Sequence, residues 1–375
     1  MTATLPLVNS LPFVLLGVGS GKRVRLMQAA RQQLGLAPAV LVEWGRWLSQ
    51  PALLEVALAQ PCNFKIESPG DDPALHHQLV QQGAQALGCA VPPAAEFGEL
   101  SVSPAWFAGL SAAMERIAAL LAERPHVRVL NAPRELLLMT DKLRCQQHLI
   151  AHRAPVPRLL GPVAGYAHLR SIMDEHALSQ VFVKARYGSS ASGVIAYRRN
   201  GRGGEQATSS AHLVQGTGGA RLYNVKRLRR YDSLAEIVQL IDLLAGQQAY
   251  AEAWLPKPRC ANGHFDVRVL TLAGRPAHRV ARMGTRMMTN LHLGNQRAAI
   301  DSLLAAPDQL ALEQAARVAA AAFPASHVIG LDLVVRRGHA HVLEANAFGD
   351  LLPGLLHSGW DSYAGQLLAL PRHEA

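Results

Sequence analysis

Short apolar runs alternate with longer stretches of helical periodicity along the first third of the chain. Runs of strand length are followed by segments whose apolar residues recur every three or four positions. This alternation is typical of a small parallel α/β domain, which we place at residues 1–130. The predicted elements are strands at 13–18 and 39–43 and helices at 24–34, near 74–87 and at 104–123.

Two segments of this first domain are predicted to be loops. One is the proline-rich stretch from Ala90 to Ala95, and the other is "IESPGDD" at residues 66–72. Contact of "ESPGDD" with a substrate at the carboxyl end of a strand is one interpretation. A solvated turn, which the same residue types favour, is the interpretation we prefer.

The pattern changes near residue 130, where short helices with capping residues begin a second predicted domain at 131–254. Asn131 is predicted to cap a helix that has Pro133 in its first turn. Thr140 or Asp141 is predicted to cap the next helix, which ends near His152.

The rest of the second domain is predicted to combine strands with glycine-rich loops. "VFVKARYGSSASGV", residues 181–194, indicates a strand that enters a Gly/Ser loop. The basic, glycine-rich segment 198–220 is predicted to be a mobile surface loop. A strand at 222–228, a helix at 233–244 capped by Asp232 and a strand at 249–254 are predicted to follow.

The third predicted domain, residues 255–375, contains two hairpins and two helices. "FDVRVLTLAGRPAHRVAR" is typical of a hairpin that turns at Ala273-Gly274. Helices are predicted around 308–322 and from about Trp360.

Three polar residues on the second hairpin are candidates for a metal site. Glu344 and Asn346 lie two apart on a strand, so both side chains leave from one face. Asp332 opposes Glu344 if the hairpin has the three-residue loop Arg337-Gly338-His339. Carboxylate and amide oxygens are ligands that Mg²⁺ prefers alongside phosphate oxygens. Because charges inside apolar strands are costly, we prefer this interpretation to acids that merely face water.

Composition narrows the class of protein and of partner. The 375 residues are 49% hydrophobic and 17% charged, which suits a folded enzyme of two or three domains. The net charge of +10 favours anionic partners such as nucleotide phosphates, acidic peptides or nucleic acid. No basic region precedes the first apolar run, and no run approaches about 18 apolar residues, so we expect neither secretion nor a membrane span. Scattered cysteines indicate reduced thiols and a cytoplasmic protein: Cys62, Cys89, Cys145 and Cys260.

The segment "LLGVGSGKR", residues 15–23, resembles a phosphate-binding loop in its glycine content but lacks the residues that such a loop needs. A Walker loop requires glycine where Leu16 stands and a hydroxyl where Arg23 stands. The dinucleotide-binding fingerprint fails at Lys22. We therefore interpret the segment as a turn between a strand and a helix, and we expect the nucleotide to bind elsewhere.

Seven motifs in order resemble the ATP-grasp superfamily, and within it ribosomal-protein glutamate ligases and bacterial glutathione synthetases. The resemblance covers about 130–352 and implies an α/β (α+β) fold, in which a small parallel pre-ATP-grasp domain precedes a two-lobed ATP-grasp core. The segment "NAFGDLLPG" departs from the Asn-x-x-Pro-Gly that relatives often carry after Asn346, which puts the acceptor pocket in question. The motifs are Lys142, "VFVKARYGSSASG", "YAEAWLP", "FDVR", "ARM…TNLHLGN", "GLDLVV" and "VLEAN".

The resemblance also implies which residues bind the nucleotide. Lysines are implied to contact the phosphates, and the loop Gly188–Gly193 to close over them as a lid whose amides approach the phosphates. A hinge segment is implied to face adenine through Glu252 and Trp254, and Asp266 to reach the ribose. The full implied set is Lys142, Lys184, Gly188, Ser189, Ser190, Glu252, Trp254 and Asp266.

The implied catalytic residues are Arg268, Arg282 and Asn290. A fixed guanidinium offers paired donors to phosphoryl oxygens and stabilises charge as it develops. His292 is either a proton-transfer group or an exposed structural histidine, and we prefer the second. The basic run "KRLRR" at 226–230 is expected to be solvated.

The implied activity is that of an ATP- and Mg²⁺-dependent carboxylate–amine ligase, with Mn²⁺ as an alternative metal, that forms an acylphosphate and releases ADP and phosphate. Its expected partners are a small-molecule or peptide carboxylate and an amine acceptor. Nucleic acid is less favoured, because basic motifs interleaved with aromatic residues are lacking. Two alternatives remain open: an ATP-grasp phosphotransferase, and a non-catalytic nucleotide- or RNA-binding protein of the same fold.

Overall fold

Three β-sheets follow one another along the chain in the computed structural model. The first is parallel and four-stranded, and the other two are antiparallel and six-stranded. The structure describes residues 9–371 except for 71, 97, 102, 189–191, 218, 262, 286–287, 290–295 and 350–351.

The first sheet confirms the predicted parallel α/β arrangement, with strand order β2-β1-β3-β4. The pattern missed β3 because Asn63 and Lys65 interrupt its apolar run, although all five of its residues are buried. The strands are β1 Phe13–Gly17, β2 Val40–Glu43, β3 Cys62–Ile66 and β4 Val127–Val129; the helices are α1 Lys22–Gln33, α2 Trp44–Ser49, α3 Ala52–Ala57, α4 Pro73–Ala86 and α5 Ser103–Ala122.

Helix α5 is long and apolar enough to cross a membrane by length and composition alone. In the fold it packs closely against α4, because each helix has a glycine at the crossing point. A Cβ atom at Gly83 would lie 1.7 Å from the carbonyl oxygen of Ala105, and one at Gly109 would lie 1.9 Å from that of Leu79. The apolar character of α5 thus serves a helix–helix contact.

Two short helices, α6 (Pro133–Thr140) and α7 (Lys142–Ala151), lead into the second sheet. The prediction that Asn131 caps α6 is wrong, because Ala132 occupies the cap position. The Asn131 amide nitrogen instead donates to the carbonyl oxygens of Val328, at 2.7 Å, and Ala347, at 3.1 Å, and so joins this segment to the third sheet. Asp141 caps α7, as one of the two predicted candidates, by accepting from the Arg144 amide.

The second sheet has the strand order β5-β10-β6-β7-β8-β9. Two helices, α8 and α9, pack against its apolar side chains. Its elements are β5 Leu159–Val163, α8 Tyr166–Glu175, β6 Gln180–Ala185, β7 Val194–Arg199, β8 Glu205–Gly216, β9 Gly219–Tyr231, α9 Leu234–Gly246 and β10 Ala249–Ala253.

The prediction of a surface loop at 198–220 is wrong, since most of this segment forms β8, which pairs with β7 and β9. The buried positions of β8 are filled largely by small residues such as Ala207, Ser209 and Ala211, so the strand lacks the bulky apolar residues that mark one in a sequence. The predicted cap of α9 is also wrong. Ser233 holds that position, and Asp232 pairs with Arg230.

The third sheet contains the order β14-β13-β12-β15-β16, with β11 paired to β12. The predicted turn at Ala273-Gly274 is confirmed, with φ values of 47° and 75° that suit a two-residue hairpin loop. The elements are β11 Arg259–Cys260, β12 Gly263–Leu272, β13 Arg275–Gly284, β14 Gln296–Ala298, α10 Ala306–Ala321, β15 Val328–Arg336, β16 His339–Asn346 and α11 Ser362–Leu368.

The hairpin of β15 and β16 brings Asp332 opposite Glu344 as predicted, but by a different route. Arg336 pairs with His339, so the loop has two residues, not three. A register shift after the Asp332–Glu344 pair leaves Leu343 as an extra residue in β16. This β-bulge compensates for the shorter loop and restores the predicted pairing.

Candidate active site

An open cleft lies between the second and third sheets, with about 760 Å³ of empty space when the part open to solvent is counted. Its polar walls come from both sheets and from the start of α7, and apolar side chains such as Phe182, Val334 and Leu343 lie between them. The charged lining residues are Lys142, Lys184, Glu252, Lys257, Asp266, Arg282, Asp332 and Glu344.

Two arginines and two aspartates form a buried network on β12, β13 and β15. Arg282 donates through Nε and a terminal nitrogen to Asp266, at 2.8 and 2.9 Å, and lies 3.1 Å from Asp332 Oδ2. Arg268 donates to both oxygens of Asp332. The strand register sets this arrangement, because Asp266 lies opposite Arg282 and Arg268 lies opposite Asp332. Each guanidinium is therefore held in one orientation by bidentate contacts.

The charges of this network outweigh the effect of its burial. Burial raises the pKa of Asp266, but the positive charges of Arg282 and Lys257 lower it by a larger amount. The pKa of Asp266 therefore lies well below its ordinary value. Burial likewise raises the pKa of Asp332, and the charges of Arg268 and Arg282 bring it below the ordinary value. Both aspartates are therefore ionised at neutral pH.

Lys257 is a member of this network that the sequence analysis missed. Its Nζ donates to Asp266 Oδ2 at 2.8 Å and to Thr289 Oγ1 at 2.7 Å. Burial lowers its pKa, and the nearby Asp266 opposes that shift without cancelling it. Lys257 follows "WLP", in a segment that has no periodic pattern of apolar residues. A lysine in a segment of this kind is typically on the surface. With Lys257 included, three cationic side chains contact two aspartates among the described residues.

The predicted metal ligands lie on neighbouring strands beside this network. Glu344 is the register partner of Asp332, and Asn346 is the partner of Gly330, to whose carbonyl its amide nitrogen donates at 3.1 Å. Lys142 Nζ pairs with Glu344 Oε1. Within the described residues, no three His, Cys, Asp or Glu side chains cluster in a way that could hold a metal. Two carboxylates and an amide oxygen nonetheless suit Mg²⁺, which commonly completes its shell with phosphate oxygens and water.

The predicted adenine end of the cleft contains a second ion pair. Lys184 on β6 contacts Glu252 Oε1 on the adjacent β10. The other carboxylate oxygen of Glu252, Oε2, is buried and has no hydrogen-bond partner among the described residues. Trp254 packs on Phe182 with the ring centroids 4.9 Å apart. A buried acceptor beside aromatic side chains suits a planar ligand that carries an amino group.

Several predicted site residues lie outside the described residues, namely Ser189, Ser190, Asn290 and His292. Gly188 is described, and a Cβ atom there would lie 2.8 Å from the carbonyl oxygen of Ser192, so only a residue without a side chain fits this position as it stands. In the basic run at 226–230, Arg229 and Arg230 form exposed ion pairs with Glu236 and Asp232, which agrees with the prediction of a solvated surface.

No protein-family model and no curated protein sequence matches the chain. Solved structures do match it along nearly its whole length. The ATP-grasp ligase PsnB, complexed with a phosphomimetic variant of a minimal precursor, Mg and ADP, is 15% identical with a TM-score of 0.53, and the match covers 96% of this chain and 98% of that one. The chain has the ATP-grasp fold.

Two further ATP-grasp comparisons agree. The D-cycloserine synthetase DcsG is 16% identical with a TM-score of 0.52, over 95% of this chain and 97% of that one. N5-carboxyaminoimidazole synthetase from Staphylococcus aureus, complexed with ADP, is 13% identical with a TM-score of 0.54, over 98% of this chain and 81% of that one. The fold implied by the sequence motifs is therefore confirmed, and the parallel first sheet belongs to the part of the chain that these structures match.

The glycine turn near the start of the chain lies outside the residues that line the cleft. The Gly19 amide donates to Glu43 Oε2 at 3.3 Å, and a Cβ atom at Gly19 would lie 2.1 Å from Glu43 Oε1. Arg23 donates to the carbonyl oxygen of Phe348 at 2.6 Å. A carboxylate thus contacts the amide of Gly19, and its negative charge would repel a phosphate placed there, which supports the interpretation of this segment as a turn.

We expect the buried aspartates to stabilise the fold at neutral pH and to lose that effect in acid. Their folded pKa values lie below the ordinary 3.8, so the stabilisation is present above that value and is lost as the pH falls through the folded values. Asp266→Asn should lower the free energy of unfolding by about 3 kcal/mol at neutral pH, because Arg282 and Lys257 lose a buried partner. In urea unfolding, that difference should narrow below about pH 4.

The matched control is Asp301→Asn, since the Asp301 side chain is 77% exposed and lies 3.6 Å from Arg279. This variant should unfold like the wild type at every pH. An equal difference between Asp266→Asn and the wild type at about pH 3 and pH 7 would contradict the assignment of ionised, charge-stabilised aspartates.

Proposed function

We propose that this protein is an ATP- and Mg²⁺-dependent carboxylate–amine ligase that acts through an acylphosphate and releases ADP and phosphate. The observation that carries the proposal is the buried network of Arg268, Arg282 and Lys257 with Asp266 and Asp332, which exposes Arg282, Lys257 and Asp332 to the same cleft as Glu344. Cationic groups held in place next to two carboxylates that could hold a metal suit phosphoryl transfer between anions.

In this proposal the nucleotide binds along the strands of the second sheet. Glu252 Oε2 accepts a hydrogen bond from the adenine amino group, which satisfies a buried oxygen that has no partner within the described part of the chain. Lys184 and Lys142, which line the same cleft, bind the phosphates. Asp266 is proposed for the ribose, although both of its oxygens already accept from Arg282 and Lys257, so its proposed role includes orienting that arginine.

Asp332, Glu344 and Asn346 are proposed to hold the metal. When bound there, Mg²⁺ would neutralise charge on the phosphoryl oxygens. The residues fit because all three offer oxygen atoms and Asp332 is ionised.

The chemistry proposed for the chain's own residues begins with orientation. Arg268 and Arg282 hold the substrate carboxylate against the γ-phosphate, and an oxygen of that carboxylate attacks phosphorus as the bond to the ADP oxygen breaks. The amine then attacks the acyl carbon, the carbon–oxygen bond breaks, phosphate leaves and the amine loses a proton. Apolar side chains of the cleft, including Phe182, Met288 and Leu343, exclude water from the acylphosphate.

The activity can be tested before the substrate is identified. Purified protein is incubated with ATP, Mg²⁺ and pooled acids, amines and short peptides, and the products are resolved by mass. A ligase yields condensed products and ADP. A stable phosphorylated product would favour a phosphotransferase of the same fold, and an absence of ATP consumption under every pool would favour a non-catalytic binding protein.

The position of the phosphate site can be tested with two lysine variants. Lys184→Ala should weaken ATP binding by at least about tenfold, because it removes a charge from the cleft. Lys22→Ala should leave ATP affinity nearly unchanged. Lys22 is the first residue of α1 and follows the glycine turn, whose Gly19 amide already donates to the Glu43 carboxylate. Affinity is measured by calorimetry. The opposite ranking would place the phosphates at the glycine turn of residues 17–21.

A further inference from the structure

Glu344, a proposed metal ligand, forms an ion pair with Lys142, which is a cation of the protein itself. Lys142 is the first residue of α7, and Glu344 lies on β16, so the pair joins two walls of the cleft. The side chains are 12% and 31% exposed, respectively, and both line the cleft. Glu344 is therefore within reach of solvent but is already neutralised.

The second carboxylate of the proposed metal site is also bound by cations. Asp332 accepts from Arg268 through both oxygens and lies 3.1 Å from Arg282. Lys257 adds a further positive charge to this part of the cleft through its contact with Asp266. A divalent cation that enters alone must therefore compete with a cationic side chain for each carboxylate.

Of these contacts, the one to Lys142 is the most easily exchanged. Arg268 and Arg282 are held by bidentate contacts inside the third sheet. Lys142 has a flexible side chain with a single acidic partner among its contacts in the described chain. A polyphosphate in the cleft would offer its ammonium group another anionic partner.

We propose that Lys142 keeps Glu344 neutralised in the nucleotide-free protein and moves to the phosphates when a nucleotide binds, so that the divalent cation and the nucleotide enter together. The inference rests on the proposed function, because it takes Glu344 as a metal ligand. It adds an order of events that the ligand set alone does not contain. The nucleotide-free protein has low affinity for divalent cations, and Lys142 is the residue responsible.

The test measures binding of Mn²⁺, as a spectroscopic probe, to the nucleotide-free protein by the loss of the free-ion electron paramagnetic resonance signal. Lys142→Gln should bind Mn²⁺ at least about tenfold more tightly than the wild type, because it uncovers Glu344 without adding a charge. Lys142→Met, which removes the charge and keeps much of the side-chain length, provides a second variant. The double variant Lys142→Gln/Glu344→Gln should lose the gain.

The matched control is Lys22→Gln, because Lys22 also begins a helix but does not line the cleft. It should bind Mn²⁺ like the wild type. Equal Mn²⁺ affinity in the wild type and both Lys142 variants would overturn the inference, as would a gain that persists in the double variant. Failure of the proposed function has a different signature, since the pooled assay would then yield no condensed product whatever the Mn²⁺ result.

Discussion

Glu344→Gln should reduce ADP release to the uncatalysed background. The substitution keeps the shape of the side chain but removes a negative charge from the proposed metal site, where a carboxylate oxygen binds Mg²⁺ far better than an amide oxygen. The loss should be at least about 10³-fold, since a metal clamp contributes several kcal/mol to charge stabilisation. The turnover rate is measured at saturating ATP and Mg²⁺ with an acid and amine identified from the pooled assay.

Folding should be nearly intact in this variant. Glu344 is 31% exposed on the cleft wall, so the loss of its contact with Lys142 should change the free energy of unfolding by no more than about 1 kcal/mol. The control is Glu313→Gln, which removes an exposed acid on α10 that pairs with Arg317. Wild-type turnover in Glu344→Gln would show that Glu344 is not a ligand of the catalytic metal.

Arg268→Ala should slow the chemical step by at least about 10²-fold while changing nucleotide affinity much less. The guanidinium lies at a fixed position because both oxygens of Asp332 hold it, and such fixed donors stabilise charge that develops in the transition state. Single-turnover rates and ATP affinity, measured separately, give the two quantities. Arg268→Lys should rescue little, because an ammonium group cannot form the same paired contacts.

The matched control for Arg268 is Arg279→Ala. Arg279 lies on β13 of the same sheet, but its side chain is 39% exposed and its acidic neighbour is Asp301 on the surface. This variant should keep the wild-type rate and ATP affinity. If Arg268→Ala lost rate and ATP affinity in equal measure, Arg268 would be a binding residue and not a group that stabilises the transition state.

The predictions from the sequence were most accurate for strands that combine an apolar pattern with a charged residue. Asp332 and Glu344 stand inside apolar strands, and their position opposite each other was predictable from a hairpin that turns near Gly338. The length of the loop between β15 and β16 was not predictable, because the bulge at Leu343 changes the strand register and the apolar pattern does not indicate a bulge. The strand β8 was missed for a related reason, since its buried positions hold alanine and serine.

Long-range contacts of single polar side chains could not be predicted from the sequence. Asn131 looked like a helix cap because of Pro133, yet its amide bonds to carbonyl groups of two residues about 200 positions away. Lys257 had no periodicity to indicate burial, and only the fold shows that it contacts Asp266 and Thr289. Local propensity could not identify either contact, because both depend on how the sheets are placed.

The most direct test of the acylphosphate is an isotope transfer. The acid identified in the pooled assay is labelled with oxygen-18 in its carboxylate and incubated with ATP, Mg²⁺ and the amine, and the released phosphate is analysed by mass spectrometry. If a carboxylate oxygen attacks the γ-phosphorus, one labelled oxygen should leave in the phosphate for each amide formed, and hydroxylamine in place of the amine should trap the acyl group as a hydroxamate. Unlabelled phosphate, with the label retained in full in a stable phosphorylated product or in the unreacted acid, would contradict a ligase that acts through an acylphosphate.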